Sequence, residues 1–122
     1  MLWSISDPRP DGLLVVEFPY FETDGVDFCA ATSYAGDGTV ASPDIVHFNH
    51  GLSEIFNALW TAGLTVTAFD EHREVPWNPL GDAMVPSEIL PGEFVLAEGG
   101  SRLPLTYTLQ ATKAHGLRQG AI

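Results

Sequence analysis

The chain has 122 residues, a formal net charge of −11 and 45% hydrophobic residues. That length suits one domain rather than two, and the hydrophobic fraction sets it apart from disordered chains. Sixteen acidic residues against five Lys and Arg repel phosphate backbones and argue against nucleic acid as a direct partner. Apolar runs such as Leu13-Leu14-Val15-Val16 fall far short of the roughly 20 residues that a membrane helix needs. No basic start followed by an apolar stretch marks a signal peptide, so a cytoplasmic location away from membranes is the expectation. Cys29 is the only cysteine, which rules out an internal disulfide and a thiolate zinc site and leaves a structural or incidental thiol.

Residues 1–12 read as a lead-in, with Pro8, Pro10 and the Asp11-Gly12 pair favouring a turn over a helix. Leu13-Leu14-Val15-Val16-Glu17-Phe18 follows and is closed by Pro19. Its apolar character on both alternating faces predicts a strand covered on both sides, as in a parallel sheet. Residues 20–46 read as a long loop with a short hairpin around Gly36-Asp37-Gly38, and loops of that length in compact domains are often functional. From Leu52 to Ala62 the apolar residues Leu52, Ile55, Phe56, Leu59 and Trp60 fall on one helical face. That spacing predicts a helix with all five in the core. Glu54 suits its first turn and Gly63 its end.

Leu64-Thr65-Val66-Thr67-Ala68-Phe69 has the composition of a second strand. Residues 70–103, rich in Pro and Gly, read as irregular, with a strand fragment at Phe94-Val95-Leu96. The run from Leu105 to Thr112 alternates apolar and polar residues and predicts a half-buried strand. The tail from Ala114 to Ile122 lacks periodicity and is expected to fray.

Several of these words are similar to those of a known family in the same order. Asp11-Gly12 leading into Leu13 to Phe18 resembles the entry to the fifth strand of class I S-adenosylmethionine-dependent methyltransferases. The run Phe48-Asn49-His50-Gly51-Leu52-Ser53-Glu54 with Ala58-Leu59 resembles the last helix of one bacterial branch. Ala62-Gly63-Leu64, Asp70-Glu71-His72, Pro76-Trp77 and Leu103-Pro104-Leu105-Thr106-Tyr107-Thr108-Leu109-Gln110-Ala111-Thr112-Lys113 resemble that branch's step into the sixth strand, its acidic-His and Pro-Trp cluster, and its closing strand. The resemblance spans about residues 11–113. It implies an α/β fold: a partial Rossmann-like sheet of the equivalents of strands 5, 7 and 6, the last strand antiparallel, with one main helix and two long loops. It implies a single incomplete domain over residues 1–122, and a small-molecule methyl acceptor.

The family holds S-adenosylmethionine at a Gly-rich turn after its first strand, where glycines let the backbone approach the cofactor. No Gly-x-Gly-x-Gly stands between a strand and a helix in this sequence. The cofactor is therefore implied by the resemblance without a binding site among these residues, and turnover by this chain alone is not expected. In the implied layout residues 19–50 and 70–104 form a lid at the carboxyl edge of the strands. That places Glu17, Tyr20, His47, His50, His72 and Trp77 around the substrate pocket. His50 and His72 are the candidates for a base by residue type. The weightier reading for both is structural, with His50 bonded near the helix start and His72 near a strand end. Tyr20 and Phe21 suit ring stacking, though packing is the commoner use of such residues. His47, His50 and Glu54 have a ligand-like spacing but only His50 and Glu54 share a helix, short of the three or four ligands a metal needs.

An apolar strand at 13–18 with one unpaired edge is a template for association. It predicts pairing with a second copy of the chain or with a companion cofactor-binding chain. The alternative function is a non-catalytic α+β module, derived from the same fold, that binds a ligand or a partner chain.

Overall fold

The computed structural model describes residues 4–21, 24–29, 32–33 and 36–113. It is a small α/β structure with one α-helix and four antiparallel strand pairs among the described residues. The tail expectation for residues 114–122 lies outside the described residues.

Strand β1 (Val26–Cys29) pairs with β4 (Asp44–His47), and β2 (Thr32–Ser33) pairs with β3 (Gly36–Thr39). The second pair is the hairpin expected around residues 36–38. Gly25, just before β1, has φ +84, and a Cβ there would lie 2.5 Å from Cγ1 of Val46 on β4. The position thus needs glycine for both its backbone and its space.

Helix α1 (Leu52–Thr61) has the periodic stripe that the sequence predicts. Leu52, Ile55, Phe56 and Leu59 are half-buried, but none of its residues is fully buried, and Trp60 is 80% exposed. This corrects the expected five-residue core stripe. The helix rests on a two-stranded ladder, which is too narrow to reach Trp60 at the edge of the stripe. Gly63 (φ +72) closes the helix, its N–H donating to the Trp60 carbonyl at 3.0 Å, a left-handed stop that suits glycine.

Strand β5 (Leu64–His72) starts at once and pairs antiparallel with β8 (Thr106–Lys113). The register runs from Leu64 opposite Lys113 to His72 opposite Thr106, with one irregularity between Val66 and Ala68. Phe69 of β5 joins helix to ladder. Its ring lies 5.3 Å from that of Phe56 and 5.4 Å from that of Tyr107, spacings at which aromatic pairs contribute about 0.5–1.5 kcal/mol beyond area burial.

The core sits where the sequence reads as irregular. Val75, Leu80, Met84, Leu96 and Leu105 are buried together, with Ile5, Trp77, Ala83 and Phe94 packed against them. Strands β6 (Met84–Pro86) and β7 (Phe94–Leu96) frame this cluster. Val75 and Phe94 exchange both backbone bonds at 3.0 and 2.9 Å, and the Leu105 N–H donates to the His72 carbonyl at 2.8 Å. Residues 70–104 therefore hold the best-buried side chains rather than a lid. Period-based reading misses such a cluster because its members come from short pieces between Pro and Gly, each too brief to show a period.

Residues 13–18 form no strand, and this corrects the three-stranded layout. The amides of Glu17 and Phe18 donate to the carbonyl of Ile5 at 2.8 and 3.1 Å. Leu13 and Val16 are 60% and 65% exposed, and Leu13 and Leu14 border a hollow beside Ala83 and Ala97. The physical reason is local: Ile5 captures the two amides, and Pro19 ends any ladder. Among the described residues β8 pairs with β5 alone, so the unpaired edge expected at 13–18 belongs instead to β8. No described helix is long and apolar enough to cross a membrane.

Leu105→Ala is expected to lower unfolding stability by about 2–4 kcal/mol through the cavity it leaves. Trp60→Ala, at an exposed site, is expected to change it by less than about 0.5 kcal/mol. Urea denaturation followed by circular dichroism checks both, and equal losses would contradict the packing described.

Candidate functional site

The lead-in is tied to the body by polar contacts that converge near the start of α1. The Arg9 guanidinium bridges Asp11 and Glu17. Its hydrogen bonds, together with the Leu13 N–H, hold the Asp11 carboxyl down to about 2 from an ordinary 3.8, and the guanidinium is raised in turn. The amide of Asn49 donates to the carbonyls of Ser4 (2.9 Å) and Pro19 (3.1 Å). One side chain thereby draws together segments 45 and 30 residues away in sequence.

The Tyr20 hydroxyl accepts from the Leu52 N–H at 2.8 Å. Gly51 precedes the helix without a side-chain cap, so this phenol satisfies an amide that a Ser or Asp would otherwise serve. Gly51 is buried, and a Cβ there would lie 3.3 Å from the Tyr20 ring. His50 follows β4 and sits one turn ahead of Glu54, its Nδ1 3.1 Å from a Glu54 carboxylate oxygen.

Asn49, its partner Ser4 and His50 also line a cleft of about 320 Å³, together with Phe48, Ile55, Trp77, Thr106 and Tyr107. It lies where the helix start, the Trp77 loop and the first residues of β8 meet. Its lining is mostly apolar and aromatic with a few polar groups, the usual character of a small-molecule site. A larger trough of about 770 Å³ runs along α1 past Ser53, Asn57 and Thr61, but it offers neither an aromatic ring nor a ring nitrogen.

Of the expected pocket residues, His50 and Trp77 meet in this cleft. The other four are placed elsewhere. Glu17 is engaged by Arg9, and Tyr20 holds the helix start. His47 lies on β4 with its ring 4.9 Å from that of Phe28. His72 is 3.0 Å from the Thr108 hydroxyl, across the ladder, and lines a separate hollow of about 150 Å³ with Arg73 and Arg102. The structural bonds expected of His50 and His72 are both present. Phe48, Asn49, Thr106 and Tyr107 were not among the expected residues. Phe48 and Asn49 carried a signal, as neighbours of His50 in the same motif, and Thr106 and Tyr107 carried one as members of the closing-strand motif.

Among the described residues no three His, Cys, Asp or Glu side chains converge as metal ligands. At the start of α1 the first helix amide is taken by the Tyr20 hydroxyl, and the Tyr20 and Phe21 rings lie against the glycine before it, so this helix start does not fit S-adenosylmethionine. No backbone approach of the kind a Gly-rich turn provides is left at that helix start. Comparison of the chain with protein-family models, with curated proteins and with solved structures finds no match.

Tyr20→Phe removes the acceptor for Leu52 and is expected to cost about 1 kcal/mol, as loss of a helix cap does; thermal unfolding measures it. The depressed Asp11 carboxyl contributes stability that is full above its unfolded value near 3.8 and lost as pH falls through about 2. Arg9→Gln is expected to return the Asp11 titration, followed by carboxyl carbon NMR, toward 3.8. An unmoved midpoint would contradict the ion pair.

Proposed function

We propose that residues 11–113 are the substrate-side part of a class I S-adenosylmethionine-dependent methyltransferase acting on a small molecule, the methyl donor being held by a companion segment. The observation that carries this reading is the passage from α1 through β5 to the antiparallel β8. The motif words imply that order and that strand direction for the family's sixth and last strands. The cleft supports it further, because His50 and Trp77, drawn from two separate motif words, share its wall. On this reading the open edge of β8 receives residues 13–18 as the missing strand once a companion covers their other edge. In the chain alone, with no second neighbour, those residues stay in coil.

A second reading, a non-catalytic α+β module that binds a ligand or a partner chain, is favoured by the helix start that Tyr20 closes to a cofactor and by the exposed Leu13, Val16 and Trp60. Calorimetry with S-adenosylmethionine separates the two together with the DNA read just upstream. The methyltransferase reading expects no heat from this chain alone. It expects an upstream segment encoding a Gly-rich strand–turn–helix that restores cofactor binding and methyl transfer when joined. Tight cofactor binding by the chain alone, or an upstream sequence without such a turn in any frame, would overturn it. Light scattering tests the association: self-pairing or capture of the upstream segment is expected, and a stable monomer indifferent to that segment would contradict it.

A further inference from the structure

The cleft beside α1 has a composition that selects a class of ligand. Phe48, Trp77 and Tyr107 place three aromatic rings in its lining. Phe48 is 58% exposed, and an apolar ring left open at the border of a cavity is surface that a flat ligand would cover. Opposite in character is His50. Glu54 lies 3.1 Å from its Nδ1, and a carboxylate at that nitrogen favours the tautomer with the proton on Nδ1. Nε2 is then left as an acceptor lone pair. No Lys or Arg lines the cleft. With Glu54 paired to the lining His50 and a net charge of −11 on the chain, the local field disfavours anions. A volume of about 320 Å³ is at the low end for ligand pockets and admits one or two fused rings.

We propose that this cleft binds a planar aromatic or heteroaromatic small molecule that carries a ring hydroxyl or N–H donor and no negative charge. The rings of Phe48, Trp77 and Tyr107 cover its faces, and Nε2 of His50 accepts its donor hydrogen. This takes the cleft as the acceptor site of the methyltransferase reading and adds the chemical class of the acceptor. The donor hydrogen that His50 receives sits on the ligand's hydroxyl or amine, which is the kind of atom a methyl group is transferred to. A proton acceptor there is the geometry that general base assistance requires.

The test uses the intact chain and no methyl donor, so the result is independent of whether a companion cofactor segment exists. 5-Hydroxyindole is titrated while the Trp indole and His ring resonances are followed by NMR, with 5-hydroxyindole-3-acetate, cyclohexanol and N-methylindole as comparison probes. Saturable shifts at Trp77 and His50 are expected, with a dissociation constant on the order of 1 mM for a fragment of this size. The anionic probe is expected to bind at least about tenfold more weakly, cyclohexanol not at all, and N-methylindole, which lacks the donor, several-fold more weakly. Phe48→Ala and His50→Gln change exposed side chains, so both leave the fold intact by circular dichroism. Each is expected to weaken binding of 5-hydroxyindole about fivefold or more, and His50→Gln to remove the preference over N-methylindole. Absence of saturable shifts, equal binding of the anion, or unchanged affinity in both variants would overturn the proposal. If 5-hydroxyindole binds as expected while the upstream test fails, the ligand class stands and the methyltransferase reading falls.

Discussion

The antiparallel ladder between β5 and β8 is the contact on which the remaining architecture depends. It joins two segments far apart in sequence, and each end of it positions something. Near its middle, Phe69 bridges Phe56 of the helix and Tyr107 of the opposite strand, which seats α1. At its His72–Thr106 end the chain turns into the core. There Leu105 donates to the His72 carbonyl, and the Thr106 hydroxyl donates to the Glu74 carbonyl at 2.8 Å. The same end brings Thr106 and Tyr107 to the cleft. A two-stranded ladder is marginal by itself, and here it is held by the helix on one side and the 75–105 cluster at its end.

That arrangement accounts for the uneven burial. Among the described residues the buried apolar side chains all belong to residues 75–105, where short strands and turns close on themselves. The helix and ladder present a broad half-buried surface, and Trp60, Leu13 and Val16 remain largely in solvent. A sheet of two strands covers one helix incompletely, and residues 13–18 add no strand to it because Ile5 takes the amides of Glu17 and Phe18. The same gap underlies the proposed need for a companion segment, because added strands would supply the missing cover.

The cleft depends on contacts of a different kind. Its residues come from the lead-in, the segment between β4 and α1, α1 itself, the loop after β5, and β8. Two side chains hold these pieces: Asn49, bonded to Ser4 and Pro19, and Tyr20, bonded to the helix start. Tyr20 thus contributes to the site from outside it, by fixing the first turn of α1, which carries Glu54 and follows on His50. This division explains why the implied lid layout suggested a ligand contact for Tyr20 where the structure has its hydroxyl on the first amide of α1.

Local pattern by itself determined α1, β5, β8 and the fragment at Phe94–Leu96. In each, the period or alternation of side chains reports directly on which face is covered, and that information needs no partner. The family resemblance, not the local pattern, placed His50 and Trp77 at a pocket together with Glu17, Tyr20, His47 and His72, and only the first two line the cleft. Residues 13–18 show the limit. Their composition is that of a buried strand, but a strand exists only where another chain segment offers its hydrogen bonds, and Ile5 takes those of Glu17 and Phe18 first. Likewise the core of Val75, Leu80, Met84, Leu96 and Leu105, and the roles of Asn49 and Tyr20, were decided only by tertiary structure. They are contacts between residues with no common period, and nothing in a linear pattern states which distant carbonyl or amide a side chain will meet.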